Sequence, residues 1–264
     1  MTTTTPIAAG AAATSPYPPL HGRSVLVTGG AGGIGRACVR AFAEAGASVH
    51  LVDVDEQAAA AAADDSGAQA HTADLTDPAA IDGLPCDVDI LVNNAGIQHV
   101  APIPDFPPEM FRTIQSLMVT APFLLLRRVL PGMYERGWGR IVNISSVHGL
   151  RASPNKSAYV AAKHALEGLS KVTALEAAAH GVTSNCIDPG YVRTPLVAGQ
   201  IADQARTRGI GEDAVTDDVF LARTAVKRLI EPEEVAAVAM WLCGDHAAYL
   251  TGASIPVDGG WTAA

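Results

Sequence analysis

SVLVTGGAGGIG, residues 24–35, is a short apolar strand that ends in Thr28, passes through a cluster of glycines and opens a helical pattern from Ile34 to Ala45. Glycine gives such a turn access to positive φ and lets the backbone approach a pyrophosphate, which then sits on the helix N-terminal amides. The spacing is T-G-x-x-x-G-x-G, with Gly29, Gly33 and Gly35 at the marked positions, and differs from the G-x-G-x-x-G of most dinucleotide folds. Alone, it is also what an ordinary glycine-rich turn between strand and helix looks like. The surrounding chain separates the two readings. A second strand, ASVHLVD (47–53), ends in Asp53, about twenty residues on, where an acidic residue can bind the adenosine ribose hydroxyls. Asp74 and Leu75 follow a third expected strand, and Asn93-Asn94-Ala95-Gly96 follow DILV (89–92). All of these lie at the carboxyl ends of expected parallel strands, where open α/β sheets bind ligands.

Alternating strand and helix patterns run from Ser24 to Val257 with no linker that would split them. The expected fold class is α/β: a single-domain, doubly wound, Rossmann-type parallel sheet with helices on both faces and a small helical lid over about 197–225. The domain spans 21–264. Residues 1–20 are Thr-, Ala- and Pro-rich without a charged group; lacking the basic start and long apolar core of a secretory signal, they read as a disordered tail.

Tyr159 and Lys163 are four residues apart in a helical stretch, with Ser146 upstream. That spacing puts phenol and ammonium on one helix face. A free tyrosine titrates near pH 10, too high for a base at neutrality, and a neighbouring Lys⁺ favours the phenolate. The pair reads as a proton-transfer device, in which Lys163 lowers the Tyr159 pKa.

Composition narrows the partners. Net charge is -9, which argues against nucleic acid, since phosphate binding needs a basic footprint. The longest apolar stretches, such as APFLLL (121–126), read as buried helix too short to span a bilayer. Cys38, Cys86, Cys186 and Cys243 have neither metal nor redox spacing, so no metal is expected and the setting reads as reducing and cytoplasmic. Cys38 and Cys243 fall in apolar helical patterns and read as core residues. For the cofactor, Asp53 accepts hydrogen bonds from a ribose 2′-hydroxyl but repels a 2′-phosphate. The residues placed to neutralise that phosphate, Gly32 and Val54, are not basic, and Arg36 inside the first helix turn reads as a capping or surface residue. NAD is the expected cofactor.

TGGAGGIG, NNAG (93–96), Ser146, YVAAK (159–163) and DPGYVRTP (188–195), in this order and at these intervals, resemble the short-chain dehydrogenase/reductase family over roughly 22–262. The resemblance implies Ser146, Tyr159 and Lys163 as catalytic residues: Tyr159 takes the hydroxyl proton, Ser146 steadies the same oxygen, and Lys163 also binds the nicotinamide ribose. It implies a cofactor site of Gly29, Gly33, Ile34, Gly35, Asp53, Asp74, Leu75, Asn94, Gly96, Tyr159, Lys163, Pro189, Gly190 and Thr194. A homotetramer is implied too, with 107–135 and 157–180 as interface helices.

GIQHV (96–100), SSVHGL (145–150), SPNKSAYVAAKHALEGLSKVTALE (153–176), GYVRTPLVAGQI (190–201) and the closing WTAA resemble the D-3-hydroxybutyrate dehydrogenase branch of that family more than the family at large. This implies that Gln98, His148, Lys156 and Gln200 hold a substrate carboxylate beside Ser146 and Tyr159. A small hydroxy acid in an acidic protein needs a local cation, which Lys156 can supply. Read singly, each of the four is also an ordinary solvated or loop residue. Tyr191 and Trp261 are either walls around the substrate methyl or ordinary core and interface aromatics. One position departs from the family pattern: Met118 stands where a catalytic asparagine is usual. The family's relay uses that residue's main-chain carbonyl at a helix kink, so a local bulge would let Met118 serve. The expected activity is NAD-linked interconversion of D-3-hydroxybutyrate and acetoacetate; the alternatives are another small hydroxy acid or hydroxy ketone, or a non-catalytic NAD-binding sensor.

Overall fold

The computed structural model describes residues 19–263. Most of the tail expected over 1–20 lies outside these residues. Leu20, however, belongs to the fold: it is buried and its amide donates to the Ala45 carbonyl at 2.8 Å.

Seven parallel strands form one sheet in the order β3-β2-β1-β4-β5-β6-β7. They are β1 (Ser24–Thr28), β2 (Ser48–Asp53), β3 (Gln69–Thr72), β4 (Ile90–Asn93), β5 (Gly139–Ile144), β6 (Val182–Pro189) and β7 (Ser254–Val257). The central strands β4, β5 and β6 are buried at every residue, because helices cover both faces of a parallel sheet and leave no polar side. The helices are α1 (Gly33–Glu44), α2 (Glu56–Ser66), α3 (Pro78–Asp82), α4 (Pro108–Gln115), α5 (Ala121–Arg136), α6 (Ser157–Ala177), α7 (Pro195–Arg208), α8 (Glu212–Val215) and α9 (Pro232–Cys243). One core joins the sheet to α1, α2 and α9; a second joins the other face to α3 and α5. Cys38 and Cys243 are buried in the first, as their patterns implied.

Helices α4 and α5 are continuous through one turn of π-helix at Ser116–Thr120, which widens the backbone around buried Met118. The composite Pro108–Arg136 is 29 residues long and contains an 18-residue stretch of mean hydropathy 1.2, so by length and composition it passes for a membrane span, contrary to the reading of its apolar stretches as too short. Its packing makes it a core helix. Leu125, Val129 and Met133 are buried against the sheet, while Arg128 and Arg136 pair with Asp82 and Asp87.

The strand order reverses direction between β1 and β4, and the crevice at that switch point is where ligands bind in such sheets. The lid is α7, α8 and a π turn at Thr216–Phe220, closed over its own small core of Tyr191, Val197, Ala205, Val215 and Phe220. It starts at Pro195, two residues before the expected boundary.

Candidate active site

One cavity of about 520 Å³ runs along the carboxyl ends of the strands. It is lined by every residue expected to bind cofactor or substrate except Gly35 and Trp261.

Its first part fits a dinucleotide. Gly33 has φ +52, and a Cβ there would approach the Thr194 Cγ2 to 3.0 Å, so the loop packs tightly on the start of α7. Gly35 acts from behind: a Cβ on it would fall 2.0 Å from the Gly29 carbonyl oxygen. Only glycine allows the helix to start this close to the loop. No side chain caps the start of α1, where Gly32 is the capping residue, and its first-turn amides are left for an anion. Asn94 fixes the loop's other edge, its Nδ2 donating to the carbonyls of Thr28 and Gly29 at 2.9 and 3.0 Å. Asp53 ends β2, and its Oδ2 accepts from the Ala31 amide at 3.0 Å. Beside it Val54 is 68% exposed, and Arg36 is turned away to pair with Asp65 at 3.2 Å. Asp74 accepts from the Thr76 amide and hydroxyl, which holds its carboxyl low.

The reacting groups sit deeper. Ser146 Oγ accepts from the His148 amide at 3.2 Å and lies 3.5 Å from the Pro189 carbonyl, which ties β5 to β6 at the site. Lys163 Nζ donates to the Ile144 carbonyl at 2.6 Å and stands 5.6 Å from the Tyr159 ring centre. The expected lowering of the Tyr159 pKa is not achieved by these residues alone. Burial pushes the phenol up to about 12, and the Ser146 hydrogen bond opposes it only in part. Burial likewise pushes the Lys163 ammonium down to about 8, against the pull of Cys186, Asp188 and Glu167.

The four expected carboxylate ligands converge. Lys156 is 2% exposed, and its Nζ reaches the Tyr191 hydroxyl at 3.4 Å and Gln200 Oε1 at 3.3 Å. Burial, then the charge of Arg208, pushes it down to about 8. Among the described residues no carboxylate pairs with it. Gln98 brings a buried amide Nε2 that has no hydrogen-bond partner among them. His148 is held neutral, pushed down to about 3 by burial and then by Lys156, His164 and Arg223, with Nε2 3.0 Å from Ser153 Oγ. Tyr191 is a cavity wall, stacked on Phe220 at 4.3 Å. Trp261 is not: it is buried behind His148, ring centres 5.7 Å apart, and supports that imidazole instead.

The sequence reading missed Ser153, which orients His148, and Leu196 and Val197, which bring apolar surface from the lid. A hydroxyl five residues from a histidine carries no signal of its own. The bulge places Met118 against Gly96, where a Cβ would meet its Sδ and Cε at 3.5 Å. A buried gap of about 10 Å³ joins Met118 and Asn93 to Lys163, about the size needed for one water.

A switch-point cavity with a glycine cradle and a Ser-Tyr-Lys centre defines an oxidoreductase that works on a nicotinamide cofactor. Residues 29–262 match a family described as enoyl-(acyl carrier protein) reductase. A D-beta-hydroxybutyrate dehydrogenase of Rhizobium meliloti (strain 1021) is 46% identical over 91% of this chain and 99% of that protein. Another, from Cupriavidus necator, is 42% identical over 92% and 99%. The solved structure of an actinorhodin polyketide ketoreductase variant with NADPH superposes with a TM-score of 0.86 at 30% identity, covering 90% of this chain and 97% of that one. The chain belongs to the short-chain dehydrogenase/reductase family.

Proposed function

We propose that this protein is an NAD-linked dehydrogenase that interconverts D-3-hydroxybutyrate and acetoacetate. The observation that carries the reading is Lys156, a buried ammonium at the cavity wall whose nearest polar neighbours, Tyr191 and Gln200, are uncharged. A charge in that position needs an anion, and a substrate carboxylate supplies one. Gln98 Nε2, which has no partner among the described residues, adds a donor to the same carboxylate, and the two hydroxybutyrate dehydrogenases that match along nearly their whole length support the substrate class.

With the carboxylate on Lys156, the hydroxyl of a short acid points to Ser146 and Tyr159. NAD, when bound, supplies the hydride acceptor and a positive ring charge. Tyr159 as phenolate takes the hydroxyl proton, and in reverse its phenol protonates the carbonyl oxygen. Ser146 donates to that oxygen and steadies its charge. Lys163 holds an ammonium beneath the phenol, and the lid brings Leu196 and Val197 to exclude water. NAD rather than NADP is supported by Asp53, by exposed uncharged Val54 and by the engagement of Arg36 with Asp65. The same reading makes the protein a cytoplasmic homotetramer without nucleic-acid, membrane or metal partners.

The test is NADH formation from both enantiomers of 3-hydroxybutyrate, other small hydroxy acids and a neutral secondary alcohol, with NAD and NADP side by side. The D-acid with NAD is expected to lead. Equal rates with the L-acid or the neutral alcohol overturn the substrate, and equal use of NADP overturns the cofactor.

A further inference from the structure

Beneath Lys163 lies a second set of ionisable groups that the mechanism above does not use. Glu167 follows Lys163 by one turn of α6, and Asp188 is the next-to-last residue of β6, directly before Pro189. The two carboxyls are 4% and 0% exposed. The Ser254 hydroxyl donates to Glu167 Oε2 at 2.5 Å. Both Asp188 oxygens, Glu167 Oε1 and Ser145 Oγ are buried with no partner in hydrogen-bonding geometry among the described residues. Gly149 closes the space: a Cβ there would lie 2.6 Å from Ser145 Oγ and 3.1 Å from Glu167 Cγ. So tight a site has no room for a counter-ion, and two full charges side by side in it would face only one cation, Lys163.

We propose that Glu167 and Asp188 share one proton and together carry a single negative charge, which keeps Lys163 an ammonium and holds its turn of α6 against the ends of β5 and β6. Both are positioning residues for the reaction proposed above, and the assignment rests on that reading.

The surroundings fit. Asp188 is pushed well above the ordinary carboxyl range by burial, then by the neighbouring Glu167 carboxyl and its charge, which makes it the proton carrier. Glu167 stays low despite burial, held by the neighbouring Asp188, Ser145 and Ser254, of which the Ser254 hydroxyl donates to it directly. Cys186, the other titratable group facing the pair from β6, is pushed up by burial and by the charge of Glu167 and remains a neutral thiol. Tyr159 faces Lys163 from the preceding turn and is itself held protonated by burial. One carboxylate and one ammonium therefore balance, and Ser145 and Asp188 each adjoin a site residue, Ser146 and Pro189.

A shared charge has a signature that two independent charges lack. In Glu167→Gln, Asp188 loses the repulsion that keeps it protonated and ionises; in Asp188→Asn, Glu167 remains ionised. Either single variant keeps one negative charge, and only Glu167→Gln/Asp188→Asn removes it. Infrared difference spectra at neutral pH should show the C=O stretch of a protonated carboxylic acid in the unsubstituted protein, shifted by D₂O and absent from both single variants. For D-3-hydroxybutyrate oxidation, each single variant should lose less than about threefold, and the double variant on the order of a hundredfold, well beyond the product of the two. The alkaline fall of its pH profile should also move to lower pH, because an ammonium without its counter-charge loses its proton sooner. No protonated-acid band, a band that persists in both single variants, or losses that simply multiply would each overturn the proposal. The infrared experiment needs no substrate, so it decides even if the double variant does not fold or the acid proves not to be the substrate.

Discussion

Lys156 is the residue on which substrate binding turns, and its burial makes that binding depend on pH. Burial pushes its pKa down to about 8, so the ammonium fraction falls as pH rises through that value. KM for the acid is expected to rise above about pH 8, and Lys156→Ala should raise KM at neutral pH by about 2–5 kcal/mol, the loss of a charged hydrogen bond to a buried carboxylate, while flattening that dependence. A Lys156→Ala enzyme with unchanged kcat/KM would place the carboxylate elsewhere. Tyr159→Phe instead acts on kcat, by about 10²–10⁴, since it removes the proton acceptor and leaves the carboxylate ligands in place. Asp53→Ala, or Val54→Arg, should relax the preference for NAD, read as the ratio of kcat/KM for the two cofactors. These roles were legible because each is a residue type at a fixed offset from a motif. What the sequence hid at this scale is how burial acts. Spacing puts Lys163 near Tyr159, but only the packed site shows burial lifting the phenol to about 12. Trp261, which the string left as either a substrate wall or a core aromatic, lies behind His148 in space.

At the scale of elements, the glycine loop and the π turn make opposite demands on sequence. The loop is written in residue identity: the 2.0 Å approach of a Gly35 Cβ to the Gly29 oxygen means that Gly35→Ala must shift α1 or the loop. NAD affinity, measured by tryptophan fluorescence or calorimetry, should fall at least tenfold. The π turn at Ser116–Thr120 is not written that way, since a widened turn changes backbone spacing and not hydrophobic period. That is why the bulge stood only as a condition in the sequence reading of Met118. The π turn and the buried gap that reaches from it to Lys163 fit a relay through a main-chain carbonyl, which needs no asparagine side chain. Met118→Asn is therefore expected to change kcat by no more than about tenfold, roughly 1.4 kcal/mol of barrier. A protein that turns over only after that substitution would show the relay to depend on the side chain. The edge strand β3, QAHT, is largely exposed and its half-polar residues carry no buried-strand signal.

For the molecule as a whole, short apolar strands such as SVLV (24–27) and DILV (89–92) announced the fold, whereas contacts between distant elements stayed invisible. Glu167 and Asp188 meet only because α6 packs on β6, and no spacing in the string predicts it. The quaternary state lies between these cases. Helices 107–135 and 157–180 were expected to be interfaces, and on them Phe111, Phe123, Val172 and Leu175 expose large apolar surface, Leu175 to 83%. Scattered apolar residues are ordinary on a surface, and we propose that these four, on helices that also pack beside the catalytic centre, serve as an interface. A dimer across it would bring two copies of α6 together and brace the turn that carries Tyr159 and Lys163. Burial of apolar area, not ion pairing, would drive that association, and with a charge of -9 on each chain added salt should favour it. Sedimentation velocity is expected to show four chains at low and high salt, and Leu175→Glu with Phe123→Glu to yield smaller species with reduced turnover and a lower melting temperature. A fully active monomer at assay concentration would show that the exposed face supports neither assembly nor the catalytic helix.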